Sequence, residues 1–139
     1  MATLAQIRAG LAANLATLSN CQVSAYMLSN PQPPALEVYP DPDEGVQYHQ
    51  AMGDGLATYT MAVRGIVAAS TDIGGQKNLD EWLEPSGSSS VKAAIEADRT
   101  LGGVVKDAYV RDVTGYQEYV KPGTNTAYYA AVWTVVVLN

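Results

Sequence analysis

The sequence predicts an α+β fold: an antiparallel sheet with an N-terminal helix and two mid-chain helices packed on one face, and a C-terminal β-hairpin. Three observations lead there. Leu4, Ile7, Leu11, Leu15 and Leu18 recur at three and four residues, the period of one helix face. Leu56 to Ala69 is a long run of β-branched and aromatic residues. The segments Val104–Val120 and Thr126–Leu138 are strand-like on either side of Lys121-Pro122-Gly123-Thr124-Asn125, a turn composition. Strands and helices are segregated along the chain, the pattern of helices laid on a sheet of antiparallel neighbours.

The first helix is predicted to start at Thr3 as N-cap and to stop at Ser19-Asn20. Ala5, Ala9, Ala12, Ala13 and Ala16 leave Arg8 as its only charge. A solvent-facing helix ordinarily carries more. Either the helix is buried on two sides within the domain, or its smooth side packs on a neighbouring subunit. Cys21 to Leu28 alternates apolar and polar residues and reads as a strand. The run Ser29 to Pro34 ends it, since proline has no N–H for a ladder. Ala35 to Tyr39 is a short extended piece, and Pro40 to Gly45 an exposed loop. Gly65 is expected to mark a bulge within the Leu56–Ala69 strand. Leu79, Trp82 and Leu83 predict a helix over about 72–84, interrupted by Pro85-Ser86-Gly87. A further helix is predicted with Ser88 or Ser89 as cap and Val91, Ala94 and Ile95 inward, ending after Leu101 at Gly102-Gly103.

The chain has 139 residues, 47% of them apolar, which is expected to form one domain over 1–139. A chain of this length buries roughly two-thirds of its unfolded surface without a disulfide or metal staple. The net charge is −6, and the eight Lys and Arg are scattered, so tight phosphate contact is disfavoured. The acidic groups are less even: Glu37, Asp41, Asp43, Glu44 and Asp54 fall in a stretch without Lys or Arg. A single cysteine, Cys21, fits a reducing compartment. No basic, apolar leader opens the sequence, and no run reaches the roughly 20 apolar residues of a membrane span. Folding in the cytoplasm, away from membranes, is the expectation. Nine Tyr, two Trp and no Phe make an unusual aromatic balance. Tyrosine suits surfaces that are sometimes wet and sometimes covered, as at protein interfaces.

No motif carries chemistry. Ser89-Ser90-Val91-Lys92 matches Ser-x-x-Lys at a helix start, but the companion motifs of the acyl-transfer enzymes that use it are absent, and capping alone explains the serines. His49 is the only histidine, and one Cys with one His disfavours zinc. Asp41-Pro42-Asp43-Glu44-Gly45 offers three hard oxygen donors, but Pro42 and the early Gly45 break the register of a calcium loop. Gly53-Asp54-Gly55 precedes a strand instead of following one, unlike a dinucleotide fingerprint. No cofactor, metal or catalytic group is predicted, and interaction is favoured over catalysis. The candidate contact residues are Asp41, Asp43, Glu44, Tyr48 and His49.

Several stretches in order along the chain resemble the tail-terminator (minor tail) proteins of long-tailed, non-contractile bacteriophages, especially those of actinobacteria. They are Ile7–Leu11, Val23–Tyr26, the prolines of 31–34, Tyr48-His49-Gln50-Ala51-Met52 and Gln76–Leu83. Pro85-Ser86-Gly87 through Ser90–Glu96, Leu101-Gly102-Gly103 and the final hairpin complete the set. The resemblance implies an α+β, non-enzymatic virion protein of the tail or neck, assembled in the host cytoplasm. It implies a homo-oligomeric ring, usually a hexamer, that caps the head-proximal end of the tail tube and stops its polymerisation. The partners implied are the tail tube protein on one side and the head-side connector on the other, with DNA passing through the lumen unbound. Asp41, Asp43, Glu44, Tyr48 and His49 are then candidates for the interface or the lumen. The family motifs assign no role to individual residues. Two other readings stand beside this one: a different neck, connector or tail-completion protein, and a small ligand-binding domain or enzyme with a deep pocket.

Overall fold

A computed structural model describes residues 3–19, 21–27, 32–48, 57–68, 72–120 and 127–138. Its elements are α1 (Leu4–Leu15), β1 (Gln22–Ser24), β2 (Ala35–Pro40), β3 (Val46–Tyr48) and β4 (Ala57–Ala68), then α2 (Asp72–Leu83), α3 (Val91–Glu96), β5 (Asp107–Val120) and β6 (Ala127–Leu138). The result is a mixed α/β molecule with a six-stranded sheet and three helices. The predicted turn at 121–125 lies outside the described residues, as does His49.

Sequence-local chemistry explains the start of α1. The Thr3 hydroxyl accepts the Gln6 N–H at 3.2 Å, and the Gln6 side-chain oxygen accepts the Thr3 N–H at 2.8 Å, a reciprocal capping box. Ile7, Leu11, Leu15 and Leu18 are buried, while Ala5, Ala9, Ala13 and Ala16 are exposed. The alanine side of the helix is therefore covered by nothing among the described residues. Arg8 turns inward from it and donates to the carbonyls of Ala25 at 2.8 Å and Val38 at 3.0 Å.

The sheet path is β1-β2-β4-β6-β5, with β3 pairing the start of β4 beyond the end of β2. Every pair is antiparallel except β1 with β2. β1 is also shorter than the predicted strand at 21–28, three residues long. Parallel pairing requires the connection between the two strands to run back along them. Leu36, Val38, Met61, Val63, Val67, Ala131, Trp133, Val135 and Val137 alternate along their strands and join one core with Ile7, Leu11, Leu15, Leu79, Trp82, Val91 and Ile95 from the helices. The opposite face also buries side chains, among them Glu37, Tyr39, Thr60, Ala62, Ile66 and Ala130.

Local expectations are corrected at Gly65 and at both ends of α3, whose predicted cap is Ser88 or Ser89. Gly65 is no bulge: the pairing of β4 with β2 and with β6 runs through it without a shift. It is glycine because Trp133 and Trp82 close over it in an edge-on pair with centroids 6.4 Å apart. A Cβ there would lie 2.8 Å from Trp133 Cζ3 and 2.9 Å from Trp82 Cε3. The third helix also ends earlier than Leu101. Its N-cap is Ser90, whose hydroxyl accepts the Ala93 N–H at 3.1 Å, and its C-cap is Ala97. The Asn14 side-chain amide reaches over from α1 to the carbonyls of Ile95 at 2.9 Å and Asp98 at 3.0 Å. Asp98 accepts the N–H groups of Thr100 and Gly102, so the chain leaves the helix in a tight turn in which Leu101 adopts φ +50°. Burial of the Leu101 side chain against Gly10 is what holds that conformation.

Candidate functional site

The acidic loop between β2 and β3 is folded tightly onto β4. Asp41 N–H donates to the Thr60 carbonyl at 2.9 Å, and Thr60 N–H donates to the Gly45 carbonyl at 2.7 Å. Inside the loop the Asp41 carboxylate accepts the Asp43 N–H at 2.8 Å and the Glu44 N–H at 3.4 Å, an Asx turn. Glu44 reaches across to β5 and takes both terminal nitrogens of Arg111, at 2.7 and 2.8 Å. The Arg111 hydrogen bond holds the Glu44 carboxyl below the usual glutamate range and pushes the guanidinium further up. Both side chains are solvent-exposed, which screens the pair.

Asp41, Asp43 and Glu44 therefore do not converge on one site. Asp41 serves the backbone turn and Glu44 serves Arg111. Asp43 is exposed and has no side-chain partner among the described residues. Tyr48 closes β3 opposite Ala57. Glu37, grouped by the sequence with the acidic stretch, is 1% exposed and belongs elsewhere. It faces Arg64 directly in the β2·β4 register and pairs with it at 3.2 Å.

That pair is the centre of a polar cluster that sequence reasoning missed. The Arg64 guanidinium lies 5.0 Å from the Tyr39 ring centroid and 4.8 Å from that of Tyr119, and it donates to the Tyr119 hydroxyl at 3.2 Å. Burial pushes the Tyr39 phenol up, with the neighbouring Arg64 charge working against it. The available signal was a single Glu inside the apolar run Ala35–Tyr39 and a single Arg inside Leu56–Ala69. A lone charge in a strand that is otherwise buried needs a partner of opposite sign.

A cleft of about 320 Å³ opens between the end of α1 and the loop before α3, lined by Leu18, Ser19, Pro34, Asn78, Glu81, Trp82, Ser88 and Ser89. Its lining is mostly hydroxyls and amide with one carboxylate. The Ser-x-x-Lys motif borders it, yet Lys92 points to Glu96 at 2.6 Å and not to Ser89. Among the described residues no cluster of His, Cys, Asp and Glu could hold a metal ion. No helix among them is long and apolar enough to cross a membrane. No known protein-family model matches the sequence, and no curated protein matches it.

Proposed function

We propose that the chain is the subunit of a ring at the head–tail junction of a long-tailed, non-contractile phage, and specifically the tail terminator. The ring caps the tail tube, stops its growth and offers a face to the head-side connector. The observation that carries the assembly reading is the outer side of α1: Ala5, Ala9, Ala13 and Ala16 are exposed, and Arg8, the one charge of the helix, is turned away from them. A helix surface without charge gains nothing from water and packs readily on another subunit. The co-linear resemblance of the sequence to tail terminators narrows assembly to this role. The net charge of −6 suits a lumen along which DNA slides.

Electron microscopy of particles from phage lacking this coding sequence tests the reading. Overlong tubes beside unjoined, DNA-filled heads are expected. Tails of normal length beside unjoined heads point instead to a connector, and intact particles remove the neck assignment. Within the acidic loop, Asp43 is the clean probe, because Asp41 and Glu44 also hold the loop together. Asp43→Asn leaves the fold intact and lowers infectious yield if the loop meets the lumen or connector; an unchanged yield excludes the loop from the junction.

A further inference from the structure

We propose that two copies of this chain join head to tail through opposite edges of the sheet: the distal half of β5, Val113–Val120, pairs with β1 of the next copy. The inference rests on the reading of the chain as a self-assembling subunit, but not on which junction that subunit occupies.

β1 and β5 are the two terminal strands of the sheet path. An edge strand presents unpaired N–H and C=O groups, and proteins usually blunt it. β5 is blunted only along its first part. The Ala108 N–H donates to Asp107 Oδ1 at 3.0 Å, and the Val110 N–H donates to Glu96 Oε2 at 3.0 Å. From Arg111 to Val120 no side chain among the described residues accepts a backbone N–H.

The two edges also match in surface chemistry. Six large hydrophobic side chains are exposed among the described residues, and four of them sit at these edges: Tyr116 and Val120 on β5, and Tyr26 and Met27 just past β1. Each edge has one charge left without an ion-pair partner among the described residues. Glu118 is the only charged residue of 113–120. Arg8 lies 4.5 Å over the Tyr26 ring and touches only carbonyl oxygens. Unneutralised opposite charges beside apolar side chains set the orientation of docking and steer the encounter. Pairing β5 with a second β5 fits less well. It would bring like charges, Glu118 from each copy, to one interface and give Arg8 no carboxylate partner. Joining two different edges is heterologous, so it repeats from copy to copy and closes into a ring when the rotation per subunit allows.

Site-directed cross-linking of the full chain tests this, with Cys21→Ser as the background. One variant carries Tyr26→Cys and another Val120→Cys. Oxidation at millimolar protein concentration is expected to join the two variants to each other and to leave each alone uncross-linked. Both substitutions in one chain give a ladder of oligomers, and adding Glu118→Lys abolishes that ladder without moving the melting temperature of the monomer. Cross-linking of the Val120→Cys variant with itself overturns the proposal in favour of a two-fold β5 pair. A protein that remains monomeric and uncross-linked under these conditions overturns it as well. Tail length in particles lacking the protein reads the terminator role separately, so either idea can fail alone.

Discussion

The two halves of β5 receive opposite treatment. The first, Asp107–Val110, is held by α3 and the turn after it: Glu96 caps the Val110 N–H, and Arg99 grips Asp107 through two hydrogen bonds of 2.7 and 2.8 Å. The second half, beyond the register shift at Arg111, is exposed on nearly every residue. Its inward ties among the described residues are two tyrosines: Tyr116, whose hydroxyl donates to Asp80 of α2 at 2.9 Å, and Tyr119, which closes over Arg64 on the face away from the helix core. One strand can thus be an internal wall at one end and an open edge at the other. What decides is whether a helix supplies carboxylates to its outward amides.

The comparison can be broken from either end. Arg64→Ala removes the Tyr119 tie of the distal half and takes the opposite charge away from the buried Glu37, a loss of roughly 3–5 kcal/mol expected in urea unfolding. Ile95→Ala hollows the α3 packing beneath the proximal half. It should cost about 3 kcal/mol and release the hydrogen-exchange protection of Ala108 and Val110 amides, leaving 113–120 as labile as before.

Glu96 sharpens the contrast through pH. Burial works to raise its pKa, but the hydrogen bonds from Lys92 and the Val110 N–H outweigh this and hold the carboxyl below the usual glutamate value. A depressed folded pKa contributes stability that is present above the unfolded glutamate range and is lost as pH falls through the folded value. Glu96→Gln should therefore cost about 1 kcal/mol at neutral pH and flatten the stability profile in that acid window, read by denaturant titrations at a series of pH values. The smallest effect belongs to the distal edge: Val120→Thr should stay within about 0.5 kcal/mol of the parent, because the side chain it trims is already half in water.

Much of the framework was legible because its causes are local. Leucine and isoleucine spacing with Thr3 defined α1, and the strand-like runs defined β4 and β6. The misses have remote causes. The stop of α3 depends on Asn14, some eighty positions upstream, whereas the Gly102-Gly103 pair only completes the following turn. Gly65 looked like a bulge because nothing near it in sequence shows that two tryptophans close over it. The acidic loop was visible as a loop, but the partner of Glu44 lies 67 residues away and depends on how β5 registers against β6. For the same reason the sequence groups Glu37 with the acidic stretch, and only the β2·β4 register sets it opposite Arg64.

The position of β6 bears on how the molecule is made. β6 lies between β4 and β5 in space, yet it leaves the ribosome after every other described element. A nascent chain halted before Ala127 holds β4 paired on one side only and β5 with no strand beside it. The sheet therefore closes only when β6 enters between β4 and β5, after synthesis has passed that point, through pairings that span up to eighty residues such as Thr58 with Leu138. Folds that depend on distant pairings form slowly and expose unpaired strands while they wait. Translation itself thus delays the moment at which a subunit offers finished edges to its neighbours, and truncated products never offer them.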